Sequence, residues 1–230
     1  MNINNNKITR RWNKFIREKF ILPRIKKDSI PKDITLFSNN CLGGVIQHEL
    51  GMRFNSPTVN LSFYSLDFFD FAEHIEYYLS IPLVEADNPK YLPAEYDKIK
   101  YPIMKLSGNG EYPDLELHFL HYHSVHEAIE TWNRRKARIN WDNIYLLWTF
   151  SFGNYSQELY KRFEKIPVEN KIAFVNHKVD EKEFPHLFYI KGFEKQDSIQ
   201  QVLDYSDLFG HRYYDQFDFL AWFQNNNEKK

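Results

Sequence analysis

The segment Ser38-Asn39-Asn40-Cys41-Leu42-Gly43-Gly44 puts a thiol, two amides and paired glycines directly after a short β-prone run. In open parallel sheets ligands sit outside the carboxyl ends of strands, where loops lead into helices. Paired glycines let backbone N–H groups approach a ligand, and a following helix N-terminus favours an anionic group such as a phosphate. Asn39 and Asn40 add donors and acceptors, and Cys41 beside a helix start is a candidate nucleophile whose thiolate the helix end would favour. The same residues fit a plainer reading, in which Cys41 is a small packed side chain and the glycines make a tight turn. The segment has neither a phosphate-loop Lys-Ser/Thr ending nor Gly-x-Gly-x-x-Gly spacing.

A second cluster, His118, His121, His123 and His126, runs from a strand end into a helix start. His118 or His121 could act as a general base or orient a substrate. Along a continuous strand His121 and His123 share one face and His118 the other, so a three-ligand metal site would need a bend, and none is expected. A third cluster places Arg134, Arg135 and Arg138 at a helix end, where they complement the helix dipole or grip a phosphate or carboxylate. Asp142 and Asn143 precede the next strand, a position suited to capping.

The elements that must hold these groups alternate. The spacing predicts strands over Ile34–Phe37, Thr58–Phe63, Ile103–Leu106, Leu115–Leu120, Ile144–Trp148, Lys171–Val175 and Leu187–Ile190. Helices are predicted over Val45–Leu50, closed by Gly51, and over the stripe Phe68, Phe71, Ala72, Ile75 and Leu79. Others follow Ser124, which with Glu127 makes a capping box, and Ser156; Ser198–Leu203 and Tyr213–Phe223 read as closing helices. Ser107–Pro113 suits a hairpin loop, and the connection containing Pro89, Pro93 and Pro102 reads as irregular. Such alternation predicts an α/β fold, a mostly parallel sheet flanked by helices in three Rossmann-like layers. Residues 1–32 read as a leader and linker, and 33–230 as a single α/β domain.

The leader is basic. Lys7 to Lys27 holds nine Lys/Arg against Glu18 alone, leaving 21 of the 30 basic and 30 of the 31 acidic residues to the rest. Ile8, Trp12, Phe15, Ile16 and Phe20 recur at helical spacing among Arg10, Arg11, Lys14 and Arg17, so an amphipathic helix is predicted up to Pro23. It could lie on an anionic membrane surface or pack on its own domain. The net charge of −1 gives no overall field for nucleic acid, which is not expected as a partner. The N-terminus lacks the apolar run of a secretory signal, and the single cysteine excludes an internal disulfide. A cytoplasmic location, peripheral at the inner membrane face, is expected.

Taken together, Ser38-Asn-Asn-Cys-Leu-Gly-Gly44, Asn55-Ser-Pro-Thr58, Tyr101-Pro102, His118-Phe-Leu-His-Tyr122, Glu127-Ala128, Trp132 and Arg135 to Asn143 resemble the bacterial exopolysaccharide-biosynthesis family catalogued as domain-of-unknown-function family 1919. The resemblance spans about Ile34 to Val175, with a longer Ser107–Pro113 loop than in similar sequences. The leader and the segment after Val175 lie outside it. Capsule-biosynthesis proteins proposed as acyltransferases also place an Asn-Cys pair after their first strand.

The resemblance implies a role in making or decorating a surface polysaccharide, with a sugar or lipid-linked sugar as substrate. In an acyl-transfer version an acyl-CoA is donor, Cys41 the nucleophile, His118 or His121 its base, and the Gly43 and Gly44 amides the oxyanion site. In a glycosyl-transfer version the loop Ser38 to Gly44 holds the diphosphate of a nucleotide-sugar, and a carboxylate or histidine activates the acceptor. Arg134 and Arg135 would join the binding residues. The rival expectation is a non-catalytic carbohydrate-binding or scaffold protein of the same assembly system.

Overall fold

Strands rich in Ile, Leu, Phe and Trp, buried on both faces, form the centre of the molecule in the computed structural model, which describes residues 6–25, 30, 33–91, 100–150 and 156–225. The expected linker, residue 30 excepted, and the middle of the proline-containing connection lie outside the described residues. β1 (Thr35–Ser38), β6 (Ile144–Thr149), β7 (Asn170–Val175) and β8 (Leu187–Tyr189) make a parallel sheet in the order β1-β6-β7-β8. Parallel strands need covered faces, and the side-chain alternation of β6 supplies both. Trp148 meets Phe69 of α3 (Ser65–Glu73) and Phe163 of α6 (Gln157–Lys165), whereas Tyr145 points the other way, to Trp222 and Phe223 of α7 (Phe219–Asn225). Leu36 of β1 faces α2 (Leu42–Glu49). The mostly parallel sheet flanked by helices is therefore present, with α3 and α6 on one face and α2 and α7 on the other.

A second sheet stands beside the first. β2 (Ser62–Phe63), β3 (Leu83–Glu85), β4 (Ile103–Leu106) and β5 (Leu115–His118) form an antiparallel sheet in the order β2-β5-β4-β3. The hairpin expected around Ser107–Pro113 joins β4 to β5, while the expected strand over Thr58–Phe63 shrinks to two residues. Its first half is a turn, with Asn60 at φ 68° and Thr58 donating no ladder bond but accepting from Ser38 N (3.0 Å) through its hydroxyl. Phe63 N donates to Asn39 O at 2.8 Å, which fastens the second sheet to the carboxyl end of β1.

The helices follow their caps. Ser124 accepts from Glu127 N (3.1 Å) at the start of α5 (Val125–Lys136), and Ser156 from Leu159 N (3.3 Å) at that of α6. The stripe from Phe68 to Leu79 is divided at His74, which leaves helical geometry between α3 and α4 (Ile75–Ser80). The expected closing helix over Ser198–Leu203 is only a 3₁₀ turn, Gln200–Leu203, and that over Tyr213–Phe223 divides into a 3₁₀ turn, Tyr213–Gln216, and α7.

The leader forms α1 (Lys7–Ile16), continued by a wider turn over Arg17–Ile21. It docks on the body by its polar face: Asn13 and Arg17 are buried, while Trp12 and Phe15 are exposed. Arg17 donates to Glu49 of α2 (2.9 and 2.7 Å) and to Asp215 (2.6 and 2.9 Å), and also reaches Gly210 O and the Tyr214 hydroxyl at 3.0 Å. No helix among the described residues is long and apolar enough to cross a membrane.

Candidate active site

Ser38 to Gly44 sits at the carboxyl end of β1, where the sequence places it, but much of it is engaged in holding the sheet end together. The buried Asn39 side chain donates to Thr149 O and accepts from Thr149 N, both at 2.8 Å, and so extends the pairing of β1 with β6. Ser38 Oγ donates to Asn40 O (2.8 Å), and Asn40 Oδ1 accepts from Leu42 N (3.0 Å). Gly43 and Gly44 are not in the turn; they lie in the first turn of α2, where they give close packing. A Cβ on Gly43 would fall 2.4 Å from Ser38 Oγ, and one on Gly44 3.0 Å from Val59 Cγ1.

Cys41 caps α2 without a side-chain hydrogen bond, and burial raises its thiol pKa, only partly opposed by its own amide. The thiolate expected from the helix N-terminus is thus disfavoured, because loss of hydration outweighs the backbone hydrogen bond at this half-buried position. Among the described residues no hydrogen bond joins the thiol to a histidine. Arg135 also has a different place from the one expected. It is buried, donates to Val59 O (2.8 Å) and Tyr122 Oη (2.7 Å), and stacks on Phe54, pinning the 57–60 turn rather than facing an anion. Arg134 is exposed and bonds Thr131 Oγ1 at 3.1 Å, and His121 is exposed on the turn after β5.

His118 is different. It ends β5, two residues from Glu116, so strand alternation puts both side chains on one face of the second sheet. Its Nε2 lies 2.7 Å from Glu116 Oε1 and its Nδ1 3.3 Å from Tyr101 Oη. With Nε2–H donated to the carboxylate, Nδ1 keeps a lone pair that accepts from the Tyr101 hydroxyl. The pair is almost fully enclosed, each residue being 3% exposed.

A second carboxylate supports the first. β2 ends at Phe63, which leaves the Glu116 amide without a strand partner, and Asp67 from the first turn of α3 accepts its N–H at 2.6 Å. The other Asp67 oxygen accepts from Lys90 Nζ (2.7 Å) and Tyr91 Oη (2.8 Å), while Glu116 Oε2 accepts from Lys90 N at 2.5 Å. Burial raises the pKa of Asp67 in spite of the Glu116 amide, Lys90 and Tyr91, and burial together with the Asp67 charge raises that of Tyr91. Two tyrosine rings, Tyr64 and Tyr91, stack at 3.7 Å, with Tyr64 also 5.7 Å from the His118 ring. A cleft of about 320 Å³ opens beside this network, lined by Asp87, Asn88, Lys90, Lys105, Asp114 and Glu116 among others.

The structure thus brings together His118, Glu116, Asp67, Lys90 and three tyrosines, of which the sequence singled out only His118. Glu116-x-His118 on a strand was the available signal, since period two places the two groups side by side. Asp67 and Lys90 come from separate segments and carry no such signature.

The sequence matches the family described as Domain of unknown function (DUF1919) over residues 12–224. That match extends past the Ile34 to Val175 resemblance on both sides, taking in the second half of α1 and the segment after β7 that supplies Gly210, Tyr214 and Asp215 to Arg17. A Haemophilus influenzae protein described as an uncharacterized protein is 36% identical over 210 residues, covering 91% of this chain and 93% of that one. Arg17, both sheets and the Glu116–His118 pair all fall within the matched residues, and the chain belongs to the DUF1919 family.

Proposed function

We propose that this chain is a transferase of surface polysaccharide assembly, which adds a group to a sugar or lipid-linked sugar at the inner membrane face, and that the Glu116–His118 pair is its catalytic base. The observation that carries this reading is the enclosed Glu116–His118–Tyr101 line beside stacked tyrosines. A carboxylate fixes the ring, the second nitrogen accepts a proton, and aromatic faces suit the C–H faces of a sugar. In the step, an acceptor hydroxyl oxygen bonds to the donor carbon as its proton passes through Tyr101 to His118. The donor carbon releases its leaving group with the bonding electron pair. A nucleotide-sugar and an acyl-CoA both fit this balance, and neither requires Cys41 as nucleophile.

The test is polysaccharide production in a strain lacking the chromosomal copy and supplied with variants. His118→Ala and Glu116→Gln are expected to lower it strongly, because a positioned general base contributes roughly 10²–10⁴ in rate. Normal production by folded, wild-type-level His118→Ala protein overturns the catalytic assignment. Thermal shift with a panel of nucleotide-sugars and acyl-CoAs identifies the donor.

The closure of the network favours one second reading, a carbohydrate-binding scaffold without chemistry. In that case Tyr64→Ala and Tyr91→Ala abolish production while His118→Ala spares it.

A further inference from the structure

The leader helix docks the wrong way round for a helix held by its apolar side. Ile8, Trp12 and Phe15, spaced i, i+4 and i+7, share one face, and that face points outward: Ile8 is 78% and Trp12 53% exposed. Phe20 continues it, its ring 6.4 Å from that of Phe15. The 204–211 loop adds Leu208 and Phe209, the latter 71% exposed. That loop is held against α1 by polar bonds: Trp12 Nε1 to Leu208 O (3.1 Å), Asn13 Nδ2 to Asp207 O (2.8 Å) and Gly210 N to Asn13 Oδ1 (3.2 Å). Gly210, at φ 83°, has no room for a Cβ, which would fall 2.9 Å from Arg17 N. Six large apolar side chains from two segments are therefore held at the surface, and the helix is fastened from behind by Arg17.

The charge around them is predominantly positive, the nearby acids Glu18, Asp204 and Asp207 being paired with Lys14, Arg10 and His211. Lys7, Arg11, Lys14 and Lys19 are exposed on the same segment, and Lys7, Arg11 and Lys19 have no acidic partner among the described residues. A second protein surface is expected to present a mixed rim, whereas apolar side chains flanked by cations match an acyl boundary beneath anionic headgroups.

We infer that the outer face of α1 with Leu208 and Phe209 is a preformed docking surface for an anionic lipid bilayer, into which Trp12, Phe15, Phe20 and Phe209 insert. This deepens the proposed placement at the membrane face, and it can be tested without any knowledge of the reaction. Because the surface is already ordered by Arg17 and Asn13, docking does not require a helix to fold on contact. It also sets the orientation of the body to the membrane, since Arg17 is clamped to Glu49 at the end of α2.

The test is sedimentation of the full chain with sonicated vesicles, either phosphatidylglycerol–phosphatidylcholine mixtures or phosphatidylcholine alone. Binding to the anionic vesicles is expected at low salt, weakening as salt is raised, with at least tenfold less on phosphatidylcholine. Lys14→Glu with Arg11→Glu is expected to lower partitioning more than tenfold, because each surface cation is worth about fivefold. Trp12→Gln with Phe15→Gln, both at exposed positions, is expected to lower it by at least tenfold while lowering the melting temperature by no more than about 2–4 °C, the effect of losing the single Trp12 Nε1 bond to Leu208 O. Equal binding by wild type and the Trp12/Phe15 variant overturns the inference, as does absence of binding by wild type. A wild-type dimer that this variant converts to monomer assigns the face to a second copy and overturns it too.

Discussion

Replacing Arg17 by Met keeps most of the apolar stem and removes the charge that ties the leader to the body. In the wild-type chain the guanidinium makes six hydrogen bonds, four of them to Glu49 and Asp215. Breaking a buried ion pair by deleting one partner costs roughly 3–5 kcal/mol, because the other charge is left without compensation. Here Asp215 keeps partial contact with water and Arg212 Nε stays 3.6 Å from Glu49, which sets the expected loss at the lower end. About 3 kcal/mol in a chain of this length lowers Tm by roughly 6–12 °C. Acid should erase the difference. Burial alone would raise the Glu49 pKa, but Arg17, Tyr214 and Arg212 together hold it below the ordinary carboxylate value. A carboxylate depressed in the folded state stabilises above its unfolded pKa, about 4.3 for Glu, and this contribution is lost as pH falls through the folded value. Urea unfolding of wild type and Arg17→Met should therefore differ by about 3 kcal/mol at pH 7 and draw together progressively as the pH falls below about 4.3, the unfolded value. A difference under roughly 1 kcal/mol at pH 7, the level of an exposed pair, would refute the reasoning, as would one that stays constant into acid.

The remaining expectations concern the β1 end and the thiol. Gly43→Ala forces a Cβ against Ser38 and should cost about 1–3 kcal/mol by chemical denaturation, the range for overpacking. Asn39→Ala strips partners from both backbone groups of Thr149 and should cost roughly 2–4 kcal/mol in the same assay. Cys41→Ser and Cys41→Ala should each sustain polysaccharide production close to wild type; a loss in both, with the fold intact by circular dichroism, restores the thiol as a nucleophile. Iodoacetamide should label Cys41 more slowly than a free thiol at pH 7 and faster only as the pH passes the ordinary thiol range, because burial raises its pKa.

The parallel sheet was legible because its strands are apolar runs, and Ile144 to Thr149 is buried along nearly its whole length. The hairpin and the Ser124 and Ser156 caps were legible for local reasons, glycine-rich turn chemistry and a hydroxyl three residues from an N–H. What periodicity could not show was that the antiparallel strands leave the first sheet and form one of their own. The Phe63 N–H to Asn39 O bond that joins the two sheets is a tertiary contact, which periodicity does not carry. The candidate site divides on the same line. His118 was found as one of several histidines, but its value comes from Glu116 on its own strand and Asp67 on α3. Ser38 to Gly44 had the composition of a binding loop, yet its polar groups meet neighbours that only the fold supplies. The amphipathic leader was legible as a helix, while the side by which it docks was not, because Arg17 finds its acids 32 and 198 residues away.

The two ends of α2 give the leader a consequence for the site. Its first turn packs Gly43 and Gly44 against the end of β1 and the Val59–Asn60 turn, which leads directly into β2 and to Tyr64 and His118. Its last residue, Glu49, holds Arg17. Eight helical residues span about 12 Å, so the clamp that holds the leader and the framework of the site are joined by one short rigid rod. If orientation at the membrane matters for reaching a lipid-linked acceptor, the clamp and the anchor have separable effects. Arg17→Met should keep the inserting side chains, and thus vesicle binding within a few-fold of wild type, yet lose much of its polysaccharide production at a temperature where the body is folded. The Trp12/Phe15 variant should lose both together. Full production by folded Arg17→Met protein would show that the anchor delivers the enzyme to the surface without aiming it.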